Sequence, residues 1–186
     1  MAFLQRLAKV ALMLCMSVQL AMAAQPAPKQ TWPLEQGMHE YSVTNGKLLL
    51  AVGTWQDTTT FKRVYHFFFV LTGQKDWNEV PVVLKPDDLD FAPDSASGGD
   101  VTREDWISVV DGEKFYFVRA STRADKGWND KGEIKATWFQ FIEAPDNEPD
   151  GPPYALKPVF TRQYPASSKN NVETVLRKES ALKPAK

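Results

Sequence analysis

The sequence predicts an all-β fold, an antiparallel β-sandwich with a short C-terminal α-helix. Three observations lead there. Short runs rich in Val, Ile, Phe, Tyr and Trp are separated by turn chemistry. Two dipeptides that accept positive φ, Asn45-Gly46 and Asp111-Gly112, sit between such runs. The helical period appears only near the C-terminus.

The chain has 186 residues. It opens with a basic head, Arg6 and Lys9, an apolar run over 12–20 too short to span a bilayer, and Ala21-Met22-Ala23 as a small-residue cleavage pattern. Residues 1–23 therefore read as a signal peptide that sends the protein to the periplasm. Residues 24–31, with Pro26 and Pro28, read as a flexible leader, and 32–186 as a single domain. The lone cysteine, Cys15, falls in the removed segment, so the mature chain has no thiol for a disulfide, a zinc thiolate site or covalent catalysis. Taking Arg6 and Lys9 from the 22 basic residues leaves 20 against 23 acidic ones, a net charge of −3 that argues against a nucleic-acid partner. No later stretch approaches the length of a membrane span.

In chain order, Tyr41-Ser42-Val43 and Leu48-Leu49-Leu50 flank the first hairpin turn. Residues 61–71 form a central strand, with Tyr65, Phe67, Phe69 and Leu71 on one face and Val64, Phe68 and Val70 on the other. Residues 80–84 and 154–160 are weaker strands, and Pro81 and Pro158 favour sheet edges or strand ends because each lacks a ladder donor. Residues 107–110 and 115–118 flank the second turn. Residues 134–142 are again apolar on both faces. Segments 87–102 and 144–153 are polar and acidic, long enough for working loops. A helix over about 171–182 is capped by Asn170 or Asn171, and its stripe of Val172, Val175, Leu176 and Leu182 has to cover a sheet or a partner.

Catalytic machinery is scarce. His39-Glu40 lacks a second histidine four residues on, and two histidines cannot build a three-histidine zinc site. His66 lies within a strand, where a hydrogen-bonded histidine is the ordinary reading. The one Ser-x-x-Lys match, Ser180 to Lys183, is terminal and lacks its companion motifs. These features predict a binding protein that needs no cofactor.

Binding chemistry has three candidates. Asp146-Asn147-Glu148-Pro149-Asp150-Gly151 sets oxygen ligands at alternate positions before a glycine, like the opening half of a calcium loop. It reads either as a solvated acidic turn or as a hard-cation site made by Asp146, Glu148 and Asp150. The small residues Ser95 to Asp100 either present backbone donors to a partner or only link two strands. Six tryptophans supply either core and rim packing or aromatic platforms for a sugar.

With Ser97-Gly98-Gly99-Asp100 between strands, a cysteine-free mature chain and a terminal helix, the layout resembles the family of the periplasmic inhibitors of invertebrate-type lysozyme and the carbapenem intrinsic resistance protein CarG. In the inhibitors a Ser-Gly loop followed closely by tyrosine enters the lysozyme active site. Ser97 and Gly98 match it here, and Asp100 stands where the tyrosine is expected. The resemblance implies a homodimer, a cation site for which Asp146 to Asp150 is the candidate, and a non-enzymatic role in carbapenem self-resistance, with Ser97, Gly98, Gly99 and Asp100 as the partner-binding loop. The alternatives are lysozyme inhibition and a glycan-binding module.

Overall fold

The computed structural model describes residues 34–56, 60–98, 101–122, 132–143, 151–167 and 170–182. The signal and leader residues 1–31, and Gly99, Asp100, Asp146, Glu148 and Asp150, lie outside them. Among the described residues the strands are β1 (Gly37–Val43), β2 (Gly46–Gln56), β3 (Thr60–Leu71), β4 (Asn78–Glu79), β5 (Val82–Lys85), β6 (Asp88–Asp90), β7 (Ala96–Gly98), β8 (Val101–Asp111), β9 (Lys114–Thr122), β10 (Ile134–Glu143) and β11 (Tyr154–Tyr164). One helix, α1 (Val172–Ser180), follows. The all-β fold with a C-terminal helix is as the sequence predicts.

The strands join in one sheet of order β1-β2-β3-β7-β8-β9-β10-β11-β5-β6, with β4 added to β3. Every pairing is antiparallel except β11 with β5. The sheet doubles over at the three-residue β7, so that β1–β4 face β8–β11 and β5 across an aromatic core. Across that core Tyr41 meets Phe115 at 4.7 Å, Phe67 meets Phe117 at 4.8 Å and Phe69 meets Phe141 at 5.2 Å. Each fully buried phenylalanine stabilises the fold by about 1.5–3 kcal/mol.

The far face of β8–β10 carries a second core. Ile107, Val109, Val118, Ala136 and Trp138 pack under Val172, Val175 and Leu176 of α1. Asn171 caps the helix, its Oδ1 accepting from Thr174 N at 2.8 Å. Leu182, placed on the stripe by its spacing, is 41% exposed because α1 ends at Ser180.

Both hairpins form, each with its two-residue turn displaced by one position. Val43 pairs with Gly46, so Thr44 and Asn45 make the first turn and Asn45 takes φ +63°. Asp111 pairs with Lys114, so Gly112 and Glu113 make the second and Gly112 takes φ +64°. Gly46 serves close packing instead, since a Cβ there would stand 2.3 Å from Val70 O.

Two expectations need correction. The segment 87–102 is not one open loop: it holds β6, β7 and the start of β8. Nor is β3 buried on both faces. Tyr65, Phe67 and Phe69 are fully buried, whereas Val64, Phe68 and Val70 are half-buried, because no second core packs on the outer side of β1–β4 among the described residues. Pro158 sits where the β10–β11 register shifts, a position that tolerates a missing donor.

Candidate functional site

The Ser97–Gly98 segment is strand rather than free loop. β7 pairs with Thr60 and Phe61 of β3 on one side and with Val101, Thr102 and Glu104 of β8 on the other, with a bulge between Ala96 and Ser97. Ser97 Oγ donates to Phe61 O at 2.9 Å, and buried Ser95 Oγ accepts from Arg63 N at 2.9 Å. Both hydroxyls thus hold the place where the sheet turns over. His39 Nε2 lies 2.7 Å from Glu35 O, and His66 faces outward opposite Ala51.

Three ion pairs brace the same corner. Asp105, 1% exposed, receives Arg63 Nη1 at 2.7 Å, Tyr65 Oη at 2.8 Å and Trp106 N at 2.9 Å. Lys62 Nζ reaches Asp94 Oδ2 at 2.7 Å, and the carbonyl of Asp94 accepts from Trp106 Nε1 at 2.9 Å. Arg119 grips Glu104 with Nε and Nη2, each at 2.6 Å, and its guanidinium lies 5.6 Å from the Trp106 ring centre. Burial pushes the Glu104 carboxyl up from its ordinary value, against the pull of Arg119 and with a further push from Asp94 and Asp90. The hydrogen bond to Asp94 holds Lys62 above its usual value. Burial and the Asp105 charge raise Tyr65. Cations and anions balance pair by pair beside Ser97 and Gly98.

The predicted cation ligands Asp146, Glu148 and Asp150 lie outside the described residues. Their segment connects Glu143, the end of β10, to Tyr154, the start of β11, whereas Ser97 pairs near the start of β8. Beside Glu143 opens a cleft of about 370 Å³ lined by Val43, Asn45, Glu113, Lys114 and Phe141 among others. Asn45 Nδ2 donates to Glu143 at 3.1 Å and Thr44 Oγ1 to Glu113 at 3.2 Å. The acids of the segment 87–102 are dispersed: Asp90 accepts from Ala92 N and Asp94 binds Lys62. No group of three His, Cys, Asp or Glu able to hold a metal ion occurs among the described residues.

Sequence reasoning missed a buried acid under the helix. Glu179 is fully buried and accepts from Trp138 Nε1 at 2.6 Å, from Arg162 Nη1 at 2.6 Å and from Tyr164 Oη. The signal was present: Val172, Val175, Leu176 and Glu179 follow one helical stripe, and an acid on that stripe demands donors beneath it.

Alkaline stability should report on these tyrosines. An unfolded tyrosine loses its proton near about pH 10. Tyr164 holds its own up to about 12, through burial and the Glu179 hydrogen bond, and Tyr65 is raised as well. The unfolded chain therefore releases protons first, so stability is intact below the unfolded value and falls as pH rises towards the folded one. Urea midpoints measured from about pH 8 to about pH 12 should decline above about pH 10. Tyr164→Phe should flatten that decline, and a level wild-type profile would contradict the assignment.

No helix among the described residues is long and apolar enough to cross a membrane. No family model matches the chain, and no curated protein matches it. Among solved structures, the crystal structure of CarG matches with a TM-score of 0.65 at 14% identity, over 83% of this chain and 96% of that one. Nearly the whole of CarG is thus superposed on this chain, at an identity that speaks for architecture alone. The doubled-over sheet and its terminal helix form a CarG-like fold.

Proposed function

We propose that the protein is an exported, non-enzymatic binding protein that confers intrinsic resistance to carbapenem β-lactams. The observation that carries this reading is the match over 96% of CarG. It joins the sequence resemblance to the carbapenem intrinsic resistance proteins. A non-enzymatic mode is supported by the corner at β7, where Ser97 Oγ is committed to the Phe61 carbonyl and Ser95 Oγ to the Arg63 amide. Among the described residues neither hydroxyl is hydrogen-bonded to a base that could activate it for attack on a lactam. Protection then comes from sequestering the drug or shielding its target, with Ser97, Gly98, Gly99 and Asp100 as the contact segment on the braced corner. The reading extends to periplasmic residence, a homodimer, and a hard cation such as calcium held by Asp146, Glu148 and Asp150.

The test is the carbapenem tolerance of a susceptible Gram-negative host that exports the protein, against the same host carrying the chain without residues 1–23. Tolerance should rise only with export, and the purified protein should not turn over the drug. Equal tolerance in both strains, or hydrolysis by the purified protein, would overturn the proposal. Capture of an invertebrate-type lysozyme, without any rise in tolerance, would assign the contact segment to lysozyme inhibition instead.

A further inference from the structure

The outer face of β1–β3 carries two exposed tryptophans that the resistance reading does not use. Trp55 on β2 is 52% exposed and Trp77, just before β4, is 56% exposed. Unbroken β2–β3 pairing puts Trp55 on the outward side with Ala51 and Gly53, opposite Lys62, Val64 and His66. Trp77 lies against Phe68 of that face, with ring centres 5.6 Å apart. Lys62 and Phe68 are six residues apart on β3, so the indoles bracket a floor about 20 Å long.

Gly53 is the second, independent observation. A glycine inside a strand is destabilising relative to alanine, because it loses more backbone freedom on folding. Gly46, on the same strand, is required by the backbone of Val70, whereas a Cβ at Gly53 would meet nothing within 4 Å. Its φ lies outside the positive range as well. Neither packing nor backbone conformation within the described structure requires the glycine. Its place between the two indoles, on the Trp55 side, fits close approach of a ligand to the strand.

The floor is about 14 Å wide across three strands, a footprint of roughly 300 Å², far below the ~800 Å² per partner of a stable protein interface. Its rim is polar, with Lys62 paired to Asp94, Lys47 to Glu40, and Glu79 on the same face opposite Phe68. Small size, largely paired charges and an indole at each end suit an uncharged, ribbon-like chain of hydroxyl-bearing rings. Such rings stack their C–H faces on tryptophan while their hydroxyls meet the polar rim. We propose that this face binds a neutral β-1,4-linked oligosaccharide, with Trp55 and Trp77 as stacking platforms and Gly53 as the floor.

The experiment titrates the full chain with chitohexaose and cellohexaose by calorimetry and tryptophan fluorescence, using a soluble α-1,4-glucan as the non-ribbon control. Binding of at least one β-1,4 probe is expected, and no binding of the control. Trp55→Ala and Trp77→Ala should each weaken affinity at least tenfold. Gly53→Val, which adds a strand-favouring side chain in open space, should do the same with an undiminished melting temperature, separating loss of the site from loss of the fold. Absence of binding by both probes, or loss in only one tryptophan variant, would overturn the two-platform site. Sedimentation showing a dimer that Trp55→Ala dissociates, without sugar binding, would give the face to a second copy and overturn the proposal as well.

Discussion

Glu179→Ala is expected to destabilise the protein by about 3–5 kcal/mol, the usual cost of removing one partner of a buried ion pair. For a domain of this size that lowers the melting temperature by on the order of 10 °C. The carboxylate is fully buried and collects Trp138 Nε1, Arg162 Nη1 and Tyr164 Oη. Removing it strands the indole N–H under the helix and leaves the arginine without its counter-charge. Arg162 keeps a side-chain exposure of 34%, so water recovers part of its solvation and the loss belongs in the lower half of the range. Glu179→Gln keeps an acceptor but turns a donor towards other donors, and should cost about 1–3 kcal/mol. Urea denaturation of the three proteins checks the order wild type, Gln, Ala. Losses under about 1 kcal/mol in both variants would mean that α1 is held by Val172, Val175 and Leu176 alone.

The elements legible in the sequence are those whose signal is local. Asn45-Gly46 and Asp111-Gly112 announce their hairpins because positive φ is a property of one residue, although the central pair slips by one in each: Asn45 itself takes the left-handed position, and Gly112 does so in the other. The helix is legible from Asn171 and its stripe. Short strands are not. Asp88-Leu89-Asp90 and Ala96-Ser97-Gly98 are too short to show a period, and β6 and β7 exist because neighbouring strands offer them ladders. Burial on a given face is also non-local. Val64, Phe68 and Val70 carry the residue types of a central strand, yet which face receives a covering layer depends on where the sheet folds over. The candidate site divides in the same way. Ser97 and Gly98 stand out in the sequence as part of a small-residue stretch, whereas Asp105 and Glu179 do not, because an acid in a strand or helix reads as solvent-facing until its donors, tens of residues away in sequence, are placed beside it.

Asp105→Ala should rival the Glu179 change, at about 3–5 kcal/mol. Asp105 is 1% exposed and Arg63 19% exposed at the side chain, so the cation left behind is better shielded from water than Arg162 would be. Its three donors come from both sides of the fold-over: Arg63 and Tyr65 from β3, the Trp106 amide from β8. The carboxylate is therefore a pin through the corner at which the two halves of the sheet meet at the three residues of β7. Tyr65→Phe removes one of those donors and should cost about 1.5–3 kcal/mol, as for a hydrogen bond to a charged group. Combined with Asp105→Ala it should cost less than the sum of the two, by about 0.5–3 kcal/mol, because the second change deletes a hydroxyl that the first has already orphaned. A double-mutant cycle by urea denaturation measures that term, and strict additivity would refute a shared network. Amide exchange locates the effect: Tyr65 N and Ser95 N, which bond to Pro93 O and Arg63 O, should lose protection first in Asp105→Ala if the pin sets the geometry of the Ser97 segment. Protection lost evenly across β1–β3 would instead make Asp105 a contributor to global stability with no particular hold on the contact segment.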